Sequence, residues 1–196
     1  MIRGFLLLIV IILQTLIGYG QTTKRTEQNA LLIYSFAKHV NWSVFVEQDA
    51  IIIGVSGDEK VYQRLKDSYY NRNIGERKVK VKRVSGIDAA DCQILYLAEL
   101  KSQESKAIIE YVRHLQVLIV SKNTVNHPDV DISIVPNKFQ QGNYSIKINS
   151  QKIRLKGLKI STDLLNLARE TTWVKPSFFV YSNPLEYFSN PETFTL

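Results

Sequence analysis

Three short stretches of the chain are apolar almost without interruption: Ala50–Val55, Cys92–Ala98 and Val117–Val120. Runs of this length that do not alternate mark strands covered by helices on both faces. Around them, apolar residues recur at helical spacing. Ala30, Ile33, Tyr34, Ala37 and Val40 share one face of Glu27–Val40, and Leu32 and Phe36 widen the stripe. Lys60–Tyr70 and Ser105–Leu115 also read as helices. Alternating strand and helix predicts a parallel sheet with right-handed crossovers.

One strand has a different pattern: Lys78–Val84 alternates lysine or arginine with valine. Lysines along a strand guard an exposed edge against stray pairing. In the strand order 2-1-3-4-5 the second strand is an edge, and this is the second strand, so the first half is expected to wind like a flavodoxin. Beyond Lys122, Ile132–Val135 and Tyr144–Ile148 are short strands, the second alternating, which predicts a hairpin-like antiparallel addition. Gly157–Ala168 then packs a turn, a cap and an apolar helix into one stretch. Ser161 can accept a hydrogen bond from the first helical turn, Asp163 lies at the positive end of the helix dipole, and Ile160, Leu164, Leu167 and Ala168 fall on one face. The expected fold is a three-layer α/β domain. It has a mostly parallel sheet, an added antiparallel strand pair and a C-terminal closing helix.

The two ends of the chain depart from this pattern. Arg3, the apolar run Phe5–Leu13 and Gly18-Tyr19-Gly20 read as a secretory signal over residues 1–20, with the mature chain starting at Gln21. The run is interrupted at Gln14 and Thr15, short of the roughly 20 apolar residues of a membrane span. No membrane insertion is therefore expected after cleavage, and the mature chain is expected to be exported. Residues 21–170 suit one domain. Residues 171–196 carry Trp173, Phe178, Phe179, Tyr181, Tyr187, Phe188 and Phe194 among Pro176, Pro184 and Pro191, which reads as an extended arm that either wraps its own domain or docks on another molecule.

Composition narrows the partners. The formal net charge of +7 falls by one when Arg3 leaves with the signal. Outside the cytoplasm the available counter-charge is an acidic protein surface, anionic lipid or cell-wall polymer rather than nucleic acid. The basic group from Arg72 to Arg83, including Lys80 and Lys82, is either a solvated edge or a docking surface for such a partner. Trp42 is a core residue, a groove anchor or a binding platform. The chain has one cysteine, Cys92, so the fold must rest on its core rather than on an intrachain disulfide.

Chemistry is hard to place. Gly54-Val55-Ser56-Gly57-Asp58 runs from a strand into a helix, where α/β sheets bind anions or nucleotides. It lacks the dinucleotide spacing and the P-loop lysine, and Asp58 also suits a helix cap. Gly54, Gly57 and Asp58 are thus either a ligand site or a structural turn. His127, Asp129 and Asp131 could converge on a cation or lie in a solvated loop, and the loop is the reading adopted. Asp88 and Asp91 have no acid–base partner, Cys92 has no nearby histidine, and no serine sits in a nucleophile elbow. No catalytic residue, metal or cofactor is assigned, and the chain is read as non-enzymatic.

Four blocks occur in order: Leu32–Trp42, the strand ending at Gly57-Asp58, Asp91–Leu97 and Gly157–Ala168. Together they resemble the YfiR/HmsC-like family of bacterial periplasmic proteins over about residues 27–170. The resemblance implies a periplasmic α/β domain, often a homodimer, that binds the extracytoplasmic part of a membrane signalling protein. A diguanylate cyclase held inactive is one such partner, so that cyclic di-GMP and biofilm formation are restrained. With only Cys92 present, the disulfides associated with the family cannot form within this chain. The runner-up is a periplasmic small-molecule-binding module using the turn from Gly54 to Asp58. The partner-binding candidates are Trp42, Lys80, Lys82, Trp173, Phe178 and Phe179.

Overall fold

A computed structural model describes residues 24–42, 49–122, 128–136 and 144–170. Residues 1–20, read as a signal, His127, and residues 171–196, read as an arm with Trp173, Phe178 and Phe179, lie outside the described residues. Helix α1 (24–39) leads into a short strand β1 (Val40–Trp42). Then follow β2 (Ala50–Ser56), α2 (Glu59–Tyr69), β3 (Asn73–Ile74) and β4 (Arg77–Arg83). A 3-10 turn (Gly86–Asp91) leads to β5 (Ile94–Leu97), α3 (Gln103–Val112) and β6 (Leu118–Lys122). The described chain ends with β7 (Ile132–Pro136), β8 (Tyr144–Ile148), α4 (Ser150–Leu155), β9 (Leu158–Ile160) and α5 (Thr162–Glu170).

The main sheet has seven strands in the order β3-β4-β2-β5-β6-β7-β8, and β1 pairs with β9 in a separate antiparallel ribbon. Pairings from β4 through β7 are all parallel, in the 2-1-3-4-5 winding expected from the sequence. β8 adds on antiparallel beyond β7. At the other end the sequence reading needs correcting, because β3 pairs antiparallel outside β4 at Asn73–Lys78 and Ile74–Arg77. The lysine strand is therefore the last parallel strand but not the outermost one.

Two cores sandwich the sheet. On the front face, Ile51, Ile53, Val55, Val79, Val81, Ile94, Tyr96, Leu118 and Val120 pack under α1 and α2 residues such as Ile33, Phe36, Val61 and Leu65. On the back, Leu95, Leu97 and Ile119 meet Ile108, Ile109 and Val112 of α3, with Val84, Ala89 and Cys92 from the β4–β5 connection. Central strands face apolar layers on both sides, which is why they read as unbroken apolar runs. α1 runs alongside α2, held by the Arg64–Glu27 ion pair and by Tyr34 stacked on Tyr69 at 4.2 Å.

The closing stretch is more divided than its sequence suggests. Gly157, at φ +74°, ends α4, and its N–H donates to the Arg154 carbonyl at 2.9 Å. Ile160 belongs to β9 rather than to the helix, and the helix begins only after Ser161. As expected, Ser161 caps it: its Oγ accepts from the Leu164 N–H at 3.2 Å. The same Oγ lies 3.1 Å from Nδ1 of His39, so the end of α1 and the start of α5 share one polar contact.

Candidate functional site

In a parallel sheet wound both ways from its first strand, the crevice for ligands opens at the strand C-termini, here between β2 and β5. Asp58 stands at that point. Its Oδ1 accepts from the Val61 N–H at 3.2 Å, capping α2, and its Oδ2 accepts from Lys122 Nζ at 2.7 Å. Gly57 turns the chain at φ +78°, which favours glycine. Beside them, Ser121 donates to the Leu97 carbonyl at 2.8 Å. The Asp58 carboxylate is thus engaged at both oxygens. Lys122, at the far end of a different strand, carried no signal in the sequence that would pair it with Asp58. Tyr96 is fully buried nearby, and among the described residues its hydroxyl has no hydrogen-bond partner. Burial, and then the Asp58 charge, push that phenol well above its usual range.

Gly54 lies deeper in the strand and has a packing role. A Cβ there would sit 2.5 Å from Val84 Cγ2 and 2.6 Å from Cys92 Sγ, because the β4–β5 connection crosses β2 at this point. Trp42 is likewise internal, 3% exposed within the front core. Neither residue offers a free surface.

Lys78 and Lys80 do, and Lys82, half-buried, lies in line with them. Alternate residues of a strand face opposite sides, so Val79 and Val81 enter the front core while the three lysines emerge on the back. They stay solvated because the β4–β5 connection is a 3-10 turn that crosses over β2 instead of a helix that would cover β4. Lys82 reaches Asp91 at 3.3 Å, whereas Lys78 and Lys80 have no side-chain partner among the described residues. Ile87, 73% exposed, stands on the 3-10 turn that follows β4. Arg83 belongs to the other face. It is forked onto Glu59 at 2.5 and 2.8 Å and lies 3.9 Å over the Tyr62 ring.

The acids leading into β7 also pair with lysines. Asp131 Oδ2 accepts from Lys156 Nζ at 2.5 Å and from the Ile119 N–H at 2.7 Å, and Lys156 donates further to the Val117 carbonyl at 2.9 Å. Both side chains are buried. Asp129 lies 3.7 Å from Lys152. Burial raises the Asp131 carboxyl pKa despite Lys156 beside it. A cleft of about 370 Å³ opens here between Arg113, His114, Pro128, Asp129 and Lys152. Among the described residues no group of three or more His, Cys, Asp or Glu could hold a metal ion.

The family profile that matches this sequence, over residues 26–169, is described as YfiR/HmsC-like. The chain belongs to the YfiR/HmsC-like family. Such proteins are in general periplasmic and regulatory rather than enzymatic. No curated protein matches the chain. Among the described residues, no helix is long and apolar enough to cross a membrane. The family match spans both features found above, the strand-end cluster at Asp58 and the lysine face of β4.

Proposed function

We infer that the protein is a non-enzymatic periplasmic regulator that binds the extracytoplasmic part of a membrane signalling protein, of the diguanylate cyclase or sensor-kinase type, and represses it. The family match over residues 26–169 carries this reading. A solvated basic face with Lys80 and Lys82, on a rigid sheet, supports it as a place where an acidic partner surface can dock. Affinity purification of the tagged protein from membranes should recover one such signalling protein, and deletion of the gene should raise cyclic di-GMP and biofilm. Recovery of none, with both outputs unchanged on deletion, overturns the reading.

A second reading rests on the Tyr96 hydroxyl, which has no partner among the described residues, near the Asp58–Lys122 pair. Buried hydroxyls are nearly always satisfied, so a small polar ligand at the strand C-termini would complete this one. A thermal-shift screen of nucleotides, amino acids and sugars tests it, since a ligand that binds only the native state raises the melting temperature. A panel without any shift removes it.

A further inference from the structure

Among the described residues the back layer of this sheet is incomplete, and its shape points to what completes it. α3 covers β5 and β6, while residues 84–93 bring the chain from β4 across β2 without a helix. Among the described residues, β4 is left with Lys78 and Lys80 exposed on this face and Lys82 half-buried in line with them, and the exposed Ile87 stands on the turn that follows the strand. Alternate strand residues stand about 6.6 Å apart. On a helix, residues four apart rise by about 6 Å. A row of carboxylates at every fourth helical position therefore keeps step with lysines at every second strand position.

Elsewhere in the molecule two acids do meet lysines four residues apart, though from a turn rather than a strand: Asp129 and Asp131, just before β7, pair with Lys152 on α4 and Lys156 just after it. At β4 the acidic half of such a match is missing: Asp91 reaches Lys82 alone.

We propose that the β4 face of the sheet is a docking surface for an acidic amphipathic helix of the partner protein, which lies along Lys78, Lys80 and Lys82 and takes the place of the absent crossover helix. Its apolar row rests on Ile87 and the aliphatic stems of the lysines. The proposal deepens the regulatory reading above by naming the element that the partner contributes.

The test uses the purified protein at physiological salt. The probe is a synthetic helical peptide with glutamate at every fourth position beside a leucine row, compared with the same peptide carrying lysine there. The glutamate peptide should bind and protect Lys78 and Lys80 from acetylation. Its affinity should fall about tenfold or more in Lys78→Glu/Lys80→Glu, as the loss of two exposed charge contacts implies. Lys101→Glu/Lys106→Glu changes the net charge equally, at exposed positions just before and on α3, and should leave binding unchanged. Equal loss in both variants would show attraction to net charge alone and overturn the proposal. So would Lys78 and Lys80 that resist acetylation until residues 171–196 are removed, because the chain's own arm would then be the occupant. Membrane purification separates this idea from its parent. If Lys78→Glu/Lys80→Glu still recovers the signalling protein, the face is wrong and the regulator stands; if wild type recovers none, the regulator falls while the peptide result still decides the face.

Discussion

Single residues carry the tightest constraints in this fold. At Gly54 the neighbours Val84 and Cys92 come from a connection that has little slack, so Gly54→Ala should cost about 1–3 kcal/mol, measured by urea unfolding. Cys92→Ala in the same chain relieves one of the two clashes and should recover part of the loss. The buried pair gives the converse case. Asp131→Asn leaves the Lys156 ammonium without its counter-charge in a dry site, a change of about 3–5 kcal/mol, whereas Asp131→Leu with Lys156→Met should come closer to wild type than either single change. Glu59 is different because it is exposed. The Arg83 fork and then Gln63 lower its pKa to about 2, so its contribution to stability is present above the unfolded value of about 4.3 and is lost as pH falls through about 2. An NMR titration that finds its carboxyl midpoint near 4 would refute the fork in solution.

At the scale of elements, the caps and turns were legible and the partnerships were not. Ser161 heads α5 as its sequence indicates, and Ser161→Ala should cost about 1 kcal/mol in unfolding free energy while leaving the sheet intact by circular dichroism. The reading of Ile160 as helical failed because a β-branched residue between two polar ones suits β9 equally well, and only pairing with Val40 selects the strand. β4 shows a subtler limit. Its alternation correctly marks a strand with one solvated face, but lysines that guard an edge and lysines on an uncovered face produce the same sequence pattern. What separates them is the length of the connection to β5 and the presence of β3, whose two residues carry almost no signal of their own. Lys122 and Lys156 were illegible for a similar reason: ion pairs that span 64 and 25 residues leave no local periodicity.

For the molecule as a whole, the question is what holds the domain together when its single cysteine can form no disulfide within the chain. Unbroken apolar strands predicted the answer, since a sheet covered on both faces buries residues such as Ile53, Leu95, Leu118 and Ile119 completely. Cys92 belongs to that core. It is fully buried, its thiol faces the Asp88 carbonyl at 3.8 Å, and burial pushes its pKa up to about 12. The thiolate is the reactive form, so native protein at pH 8 should resist iodoacetamide and become alkylated only when unfolded. The same shift sets a sign for alkaline stability. The unfolded thiol ionises near 8.5 and the folded one near 12, so the contribution of the neutral buried thiol is full below about 8.5 and declines as pH rises toward 12. The melting temperature at neutral pH should accordingly be the same in reductant and in mild oxidant. A drop under reduction would mean that an intermolecular disulfide through Cys92 supports the fold, which its burial in a single chain does not allow.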